Sequence, residues 1–497
     1  MSPGKVHGSN PAEKAGSQPT RYLSTRGAWT DSPQPFSSIL LEGLAPDGGL
    51  AVPQAYPRFT SAEQTAFRGL AYPARAHAIL SPLLSDIPDA DLKSLIDRTY
   101  TKAIFGTDAI TPVTRLEPGV HLLHVSNGPT LAFKDIALQL LGNLFEYTLA
   151  KNGSTLNILG ATSGDTGSAA EYAMRGKRGI EVFMLSPKGR MSPFQQAQMF
   201  ALPDANIHNI AIEGVFDDCQ DLVKAMFADA RFRQDHNLSA VNSINWARIM
   251  AQVAYYVAAA LALGAPDRPV SFAVPTGNFG NVYAAHVARR MGLPIAALVI
   301  GTNRNDILTR FLDDGAMTIA GVEPSLSPSM DIQVSSNFER LYHELKTGDG
   351  AAVAAGFKSF RATGSLPVSE AEWRRARELF SAARIDDAET LAEIGETHRA
   401  TGELLDPHSA VAVAAARRAR RDKTAPIVAL ACAHPAKFPD AVERATGIRP
   451  PLPPRLADLY DRPERIHSLP NDLSAVESFI TARARPVAAP ARAGGGY

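Results

Sequence analysis

The chain has 497 residues, 45% apolar and 20% charged, which is ordinary globular composition and enough length for two or three domains. Its 50 Lys and Arg balance 50 Asp and Glu, so nothing favours a nucleic-acid or polyanion binder, although a local basic pocket for one phosphorylated small molecule stays open. Two cysteines, Cys219 and Cys432, exclude a disulfide framework or a Cys-x-x-Cys metal site and fit a reducing cytoplasm. No apolar leader and no run of membrane-spanning length is present, so neither secretion nor a membrane is expected.

In chain order, residues 1–20 carry Gly, Ser, Pro and Lys without periodicity and read as a disordered tail. Residues 21–110 form an N-terminal segment, with short helices divided by Pro and Gly from about 60 to 105. His121 and His124 have no third ligand nearby, so a strand or turn is expected there rather than zinc, and no metal is expected anywhere. Next comes Asn127-Gly128-Pro129-Thr130-Leu131-Ala132-Phe133-Lys134-Asp135, in which a Gly-Pro turn delivers a lysine through apolar residues into a helical pattern. From Thr155 strands alternate with helices: Leu156 to Leu159, Ile180 to Leu185 and Ile207 to Ile212 read as strands. A long helix is expected from Trp246 to Leu263, and further strands at Val270 to Val274, Ile295 to Ile300 and Ile427 to Ala431. This alternation predicts an α/β protein with two open parallel-sheet domains behind an N-terminal helical segment. The larger domain is expected over 111–149 and 246–465, the smaller over 150–245, and a C-terminal extension and flexible tail over 466–497.

The chemistry gathers where strands end, which is where open α/β sheets bind ligands. An apolar-flanked lysine such as Lys134 loses part of its pKa to burial, and a neutral amine is what a Schiff base needs. The plainer alternative for Lys134 is a helix-start ion pair with Asp135. The turn Gly160-Ala161-Thr162-Ser163-Gly164-Asp165-Thr166-Gly167 stacks hydroxyls and N–H groups at a helix start, suited to a carboxylate or phosphate, or else to capping alone. A second such turn, Pro275-Thr276-Gly277-Asn278-Phe279-Gly280-Asn281, offers another anion cradle. Two anion turns and one buried lysine suit pyridoxal phosphate, whereas the dinucleotide fingerprint is absent. In Asn242-Ser243-Ile244-Asn245-Trp246-Ala247-Arg248, Arg248 could grip an oxyanion with two N–H groups, or simply lie on the surface behind a helix cap.

With Phe133-Lys134-Asp135, Ala161 to Gly167, Pro187-Lys188-Gly189-Arg190 and Asn242 to Arg248 in view, the sequence resembles the threonine synthases of the longer, yeast and enterobacterial type. Pro275 to Gly280, Leu326 to Ile332, Asp406-Pro407-His408 and His434-Pro435-Ala436-Lys437-Phe438 extend the likeness, which starts at Tyr22-Leu23-Ser24 and Leu44 to Leu50 and covers about 20–450. The resemblance implies a fold-type II pyridoxal-phosphate enzyme, similar to the tryptophan synthase β subunit in fold, with Lys134 as Schiff-base lysine and proton shuttle. It implies a cofactor site of Lys134, Asp165, Thr276, Gly277, Asn278, Phe279, Gly280 and Cys432. It implies a substrate site of Thr162, Ser163, Gly164, Thr166, Asn242, Ser243, Arg248 and Asn281. The implied reaction converts O-phospho-L-homoserine and water to L-threonine and phosphate, in a cytoplasmic monomer whose partner is that small phosphorylated substrate.

Five positions depart from the family's usual residues. His-Gly-Pro-Thr is here Asn127-Gly128-Pro129-Thr130, and a usual glutamate is His124. Ser-Thr-Ala-His-Pro is Ala431-Cys432-Ala433-His434-Pro435, and Asn281 stands for a usual aspartate. The family's threonine meets the pyridine nitrogen, which Cys432 would meet as a weak S–H donor. These departures keep three alternatives in view: a phospho-lyase releasing 2-oxobutyrate, a paralogue acting on another γ-activated amino acid, and a non-catalytic binding relative.

Overall fold

The computed structural model describes residues 19–162 and 164–486. The candidate Ser163, and the tails expected before residue 19 and after 486, lie outside the described residues.

Two sheets organise the chain. The larger runs in the order Phe380–Arg384, Ile295–Thr302, Val270–Pro275, Ile427–Ala431, Val120–His124, Val113–Glu117. Its strands are parallel except for the last, which forms an antiparallel hairpin with Val120–His124. His121 and His124 therefore lie on a strand, and no cluster of metal-binding residues occurs among the described residues. The smaller sheet is parallel throughout, in the order His467–Pro470, Ile207–Glu213, Ile180–Pro187, Leu156–Ala161, Leu238–Ser239. Strands buried on both faces explain the continuous apolar runs: every residue of Ile180–Pro187 and of Val270–Pro275 is buried.

The helix Trp246–Ala262 is the central pillar. It is rich in alanine, free of Gly and Pro, and buried from Trp246 to Leu261, the pattern of a helix that is apolar all round. Asn245 starts it, its Oδ1 accepting from the Ala247 N–H at 2.9 Å. The pillar packs against the helices Tyr72–Leu80, Lys134–Asn152 and Gly280–Arg290. Each large apolar side chain buried there contributes roughly 1.5–3 kcal/mol. The N-terminal segment adds a short antiparallel pair, Tyr22–Ser24 with Ala51–Pro53, and several short helices.

One sequence expectation changes. Residues after 466 were expected to form an extension and flexible tail, but His467–Pro470 joins the smaller sheet and the helix Leu473–Thr481 buries Val476 and Ile480 against it. The strand is four residues long and mostly exposed, so it carries no apolar alternation to read. The chain thus passes between the two sheets three times, after 152, after 239 and after 431.

Candidate active site

Lys134 opens the helix Lys134–Asn152. The turn before it is held by Asp135, whose carboxylate accepts from the Thr130 N–H at 2.8 Å and the Thr130 hydroxyl at 2.7 Å. Gly128 has to be glycine, because a Cβ there would lie 2.3 Å from the Asp135 Cβ. Leu131 to Phe133 then runs antiparallel to Cys432–His434: the Phe133 N–H donates to the Cys432 carbonyl at 2.8 Å and the His434 N–H to the Leu131 carbonyl at 3.0 Å. This pairing sets Lys134 beside the end of the strand Ile427–Ala431.

Asp135 is spent on the turn, so the helix-start ion pair is not what Lys134 makes. Its Nζ lies 3.4 Å from Ser329 Oγ and 3.9 Å from Asp165 Oδ2. Burial, opposed by Asp165 and assisted by the charges of Lys437 and Arg248, holds the Lys134 amine down at about 8. Lys437 is fully buried. Its ammonium lies 3.0 Å from Asp165 Oδ1 and donates to the Thr130 carbonyl at 2.8 Å. Asp165 also accepts from Ser329 Oγ at 3.1 Å and Gln195 Nε2 at 3.2 Å. Burial opposes ionisation of Asp165, but Lys437 and Lys134 outweigh it and hold the carboxyl well below the usual range.

The two strand-to-helix turns differ. In the first, Thr162 is buried and its Oγ1 accepts from the N–H groups of Gly164 and Gly167, both at 3.0 Å, so this hydroxyl caps the helix Asp165–Met174. Gly164 is buried beside Gln195, and Thr166 is exposed. In the second, the Thr276 hydroxyl donates to the Val274 carbonyl at 2.8 Å, and the N–H groups of residues 277–280 have no acceptor among the described residues. A Cβ on Gly277 would lie 3.0 Å from Ile332 Cδ1 and 3.1 Å from the Ser329 carbonyl oxygen, so glycine keeps this loop tight. Phe279 takes positive φ (64°) and anchors the turn, its ring 5.4 Å from Phe338.

Arg248 lies in the first turn of the central helix. It is buried, its Nη1 has no partner among the described residues, and burial pulls it down to about 10. A buried guanidinium without a counter-charge is costly unless an anion meets it. Asn242 turns its Oδ1 to the Ile244 N–H at 3.2 Å, and the Ser243 carbonyl accepts from Asn337 Nδ2 at 3.2 Å; both residues are half-buried beside this helix start.

Cys432 is buried behind Lys134. Its N–H donates to Ser409 Oγ at 3.1 Å, and Ser409 is held in turn by Asp406, as is His408, whose Nδ1 is 2.7 Å from the same carboxylate. Burial, with Asp406 adding and Lys134 opposing, pushes the Cys432 thiol well up. Its Sγ lies 3.8 Å from Asn281 Nδ2, and Asn281 Oδ1 meets the hydroxyls of Tyr255 and Tyr256.

Three family descriptions match consecutive stretches: threonine synthase N terminus over 21–100, pyridoxal-phosphate dependent enzyme over 105–356, and threonine synthase, C-terminal, over 409–480. A threonine synthase of Pseudomonas aeruginosa is 50% identical over 93% of this chain and 98% of its own. The chain belongs to the threonine synthase family. A crystal structure of a pyridoxal-phosphate-bound threonine synthase from Brucella melitensis superposes with a TM-score of 0.91 at 49% identity, over 94% of this chain and all of that one. A protein named threonine synthase-like 2, from Xenopus laevis, is 34% identical over 90% of this chain and 95% of its own. The fold is accordingly fold type II, and the cofactor is pyridoxal phosphate.

The residues present fit that cofactor. A lysine of lowered pKa suits the amine, N–H groups without an acceptor among the described residues, in a glycine-tight turn, suit its phosphate, and Arg248 Nη1, without a partner among the described residues, suits a second anion. Roles for Lys437, Ser329, Asp406 and Ser409 were missing from the sequence reading, although all four lie in or beside motifs of the threonine synthase likeness. Lys437 carries the same signal as Lys134, a lysine set among apolar residues, between Ala436 and Phe438. Tyr255, Tyr256 and Gln195 had no signal beyond helical periodicity. No described helix is long and apolar enough to cross a membrane.

Proposed function

We propose that this chain catalyses the threonine synthase reaction, O-phospho-L-homoserine plus water to L-threonine plus phosphate, with Lys134 holding pyridoxal phosphate. The observation that carries the assignment of roles is the set of three buried cations: Lys134 at lowered pKa, Lys437 paired with Asp165, and Arg248, whose Nη1 has no partner among the described residues. Bound pyridoxal phosphate supplies an electron sink for the charge left when the substrate loses its Cα proton. The N–H groups of Gly277, Asn278, Phe279 and Gly280 hold the cofactor phosphate, with Thr276 shaping the turn, and Cys432 meets the ring nitrogen. Asp165, pinned by Lys437 and Ser329, steers the Lys134 amine.

Lys134, with its pKa lowered to about 8, takes the Cα proton and then a Cβ proton, and returns protons at Cγ and Cα as the phosphate leaves and the carbon skeleton changes. Arg248 with Asn242 and Ser243 grips the substrate phosphate, so the Cγ–O bond breaks with the charge received by a guanidinium. Water oxygen bonds to Cβ, its proton is taken up by the site, and Cγ ends as the methyl group. Thr162, Ser163, Gly164 and Thr166 border the substrate carboxylate. The two free, buried cysteines support a reducing cytoplasmic setting.

The deciding experiment supplies O-phosphohomoserine to the holoprotein and identifies the organic product beside phosphate. Threonine is expected, and Lys134→Ala abolishes both turnover and the visible absorbance of the bound cofactor. Release of 2-oxobutyrate, or no turnover, overturns the assignment.

A further inference from the structure

Cys432 and Asn281, two of the family departures, touch. Asn281 is the second residue of the helix Gly280–Arg290 and is buried. The hydroxyls of Tyr255 and Tyr256 lie 2.5 and 2.6 Å from its Oδ1. Burial pushes both phenols well above their usual range, so both keep their protons and act as donors. Distances this short belong to O–H···O bonds, since N–H···O contacts centre near 2.9 Å. The amide oxygen therefore faces the tyrosines and the amide nitrogen faces the Cys432 sulfur, at 3.8 Å. Tyr255 also lies 2.9 Å from Gln252 Oε1, the longer of its two contacts. An amide N–H can only donate. The sulfur is thereby the acceptor toward Asn281, and the thiol proton is left for the cofactor side.

We propose that Asn281 is a positioning residue that sets the direction of this hydrogen-bond chain: the tyrosines donate to Asn281, Asn281 donates to Cys432, and Cys432 donates its S–H to an unprotonated ring nitrogen of pyridoxal phosphate. The proposal rests on the functional reading above, in which Cys432 meets that nitrogen. It makes two departures one feature. A carboxylate at position 281 would accept from both tyrosines and from the thiol, turning the sulfur lone pair toward the cofactor and calling for a protonated ring nitrogen. Asn281 acts on the electron sink through Cys432 rather than on the substrate phosphate.

The test uses holoprotein loaded with pyridoxal phosphate labelled at its ring nitrogen, read by nitrogen NMR. The wild type gives the shift of an unprotonated pyridine, and Asn281→Asp moves it toward pyridinium. An infrared measurement needs no variant at 281: in a Cys219→Ser background the single remaining S–H stretch moves to lower wavenumber when the cofactor is added. In Asn281→Asp that band is already lowered before loading and moves no further. A protonated ring nitrogen in the wild type, equal shifts in the two proteins, or an S–H band indifferent to loading overturns the proposal while leaving the assigned reaction and the role of Lys134 intact. A protein that takes up no pyridoxal phosphate overturns both.

Discussion

Lys437 and Arg248 are buried cations within electrostatic reach of the same lysine, and they differ in company. Lys437 has the Asp165 carboxylate and the Thr130 carbonyl, whereas the Arg248 Nη1 has no partner among the described residues. A buried charge persists only when something compensates it. The paired cation belongs to the framework, and the unpaired one is, in the function proposed above, a socket for an anion that arrives with the substrate. Both lower the pKa of Lys134, so each also acts on that amine.

The largest way to break this contrast is Arg248→Ala. Its kcat/KM for phosphohomoserine falls about 10²–10³-fold, the cost of losing a donor aimed at developing charge, while cofactor absorbance is unchanged. Arg248→Lys recovers part of the loss, because an ammonium lacks the planar fork. Equal losses of cofactor and activity would erase the distinction between socket and framework.

Lys437→Met sharpens the other side. Removing this charge takes away a force that lowers the Lys134 pKa, so the pKa rises from about 8 by roughly one unit. The neutral fraction of the amine at pH 8 drops. The pH profile for uptake of pyridoxal phosphate by the cofactor-free protein then shifts to higher pH by the same amount. A profile that does not move removes the electrostatic role of Lys437. The smallest effect belongs to Thr162→Val, which removes a hydroxyl that two backbone N–H groups use. It costs about 1 kcal/mol in denaturant unfolding and changes kcat/KM far less than Arg248→Ala.

Much of this is legible in the sequence. The strands buried on both faces are apolar runs and were placed to within two residues at most ends, and the helix Lys134–Asn152 begins at the lysine singled out by its neighbours. The short edge strands Phe380–Arg384 and His467–Pro470 carry too little pattern to be seen. Both strand-to-helix turns looked alike as sequence, because hydroxyls that cap and hydroxyls that await a ligand are the same residues; only the partners of Gly164 and Gly167 separate them. Pairings such as Lys437 with Asp165, or Asn281 with Cys432, join residues far apart in the chain, and no local periodicity records them.

The strand His467–Pro470 lies at the outer edge of the smaller sheet, against Ile207–Glu213. Left as the edge, the seven-residue, mostly buried strand Ile207–Glu213 would present a longer row of free N–H and C=O groups to any passing chain than the four-residue, Pro-ended strand that covers it. The last described strand and helix therefore act as a guard against self-association. Trimming the protein after residue 466 would bare the Ile207–Glu213 edge and lower its solubility, although every residue assigned to catalysis would remain.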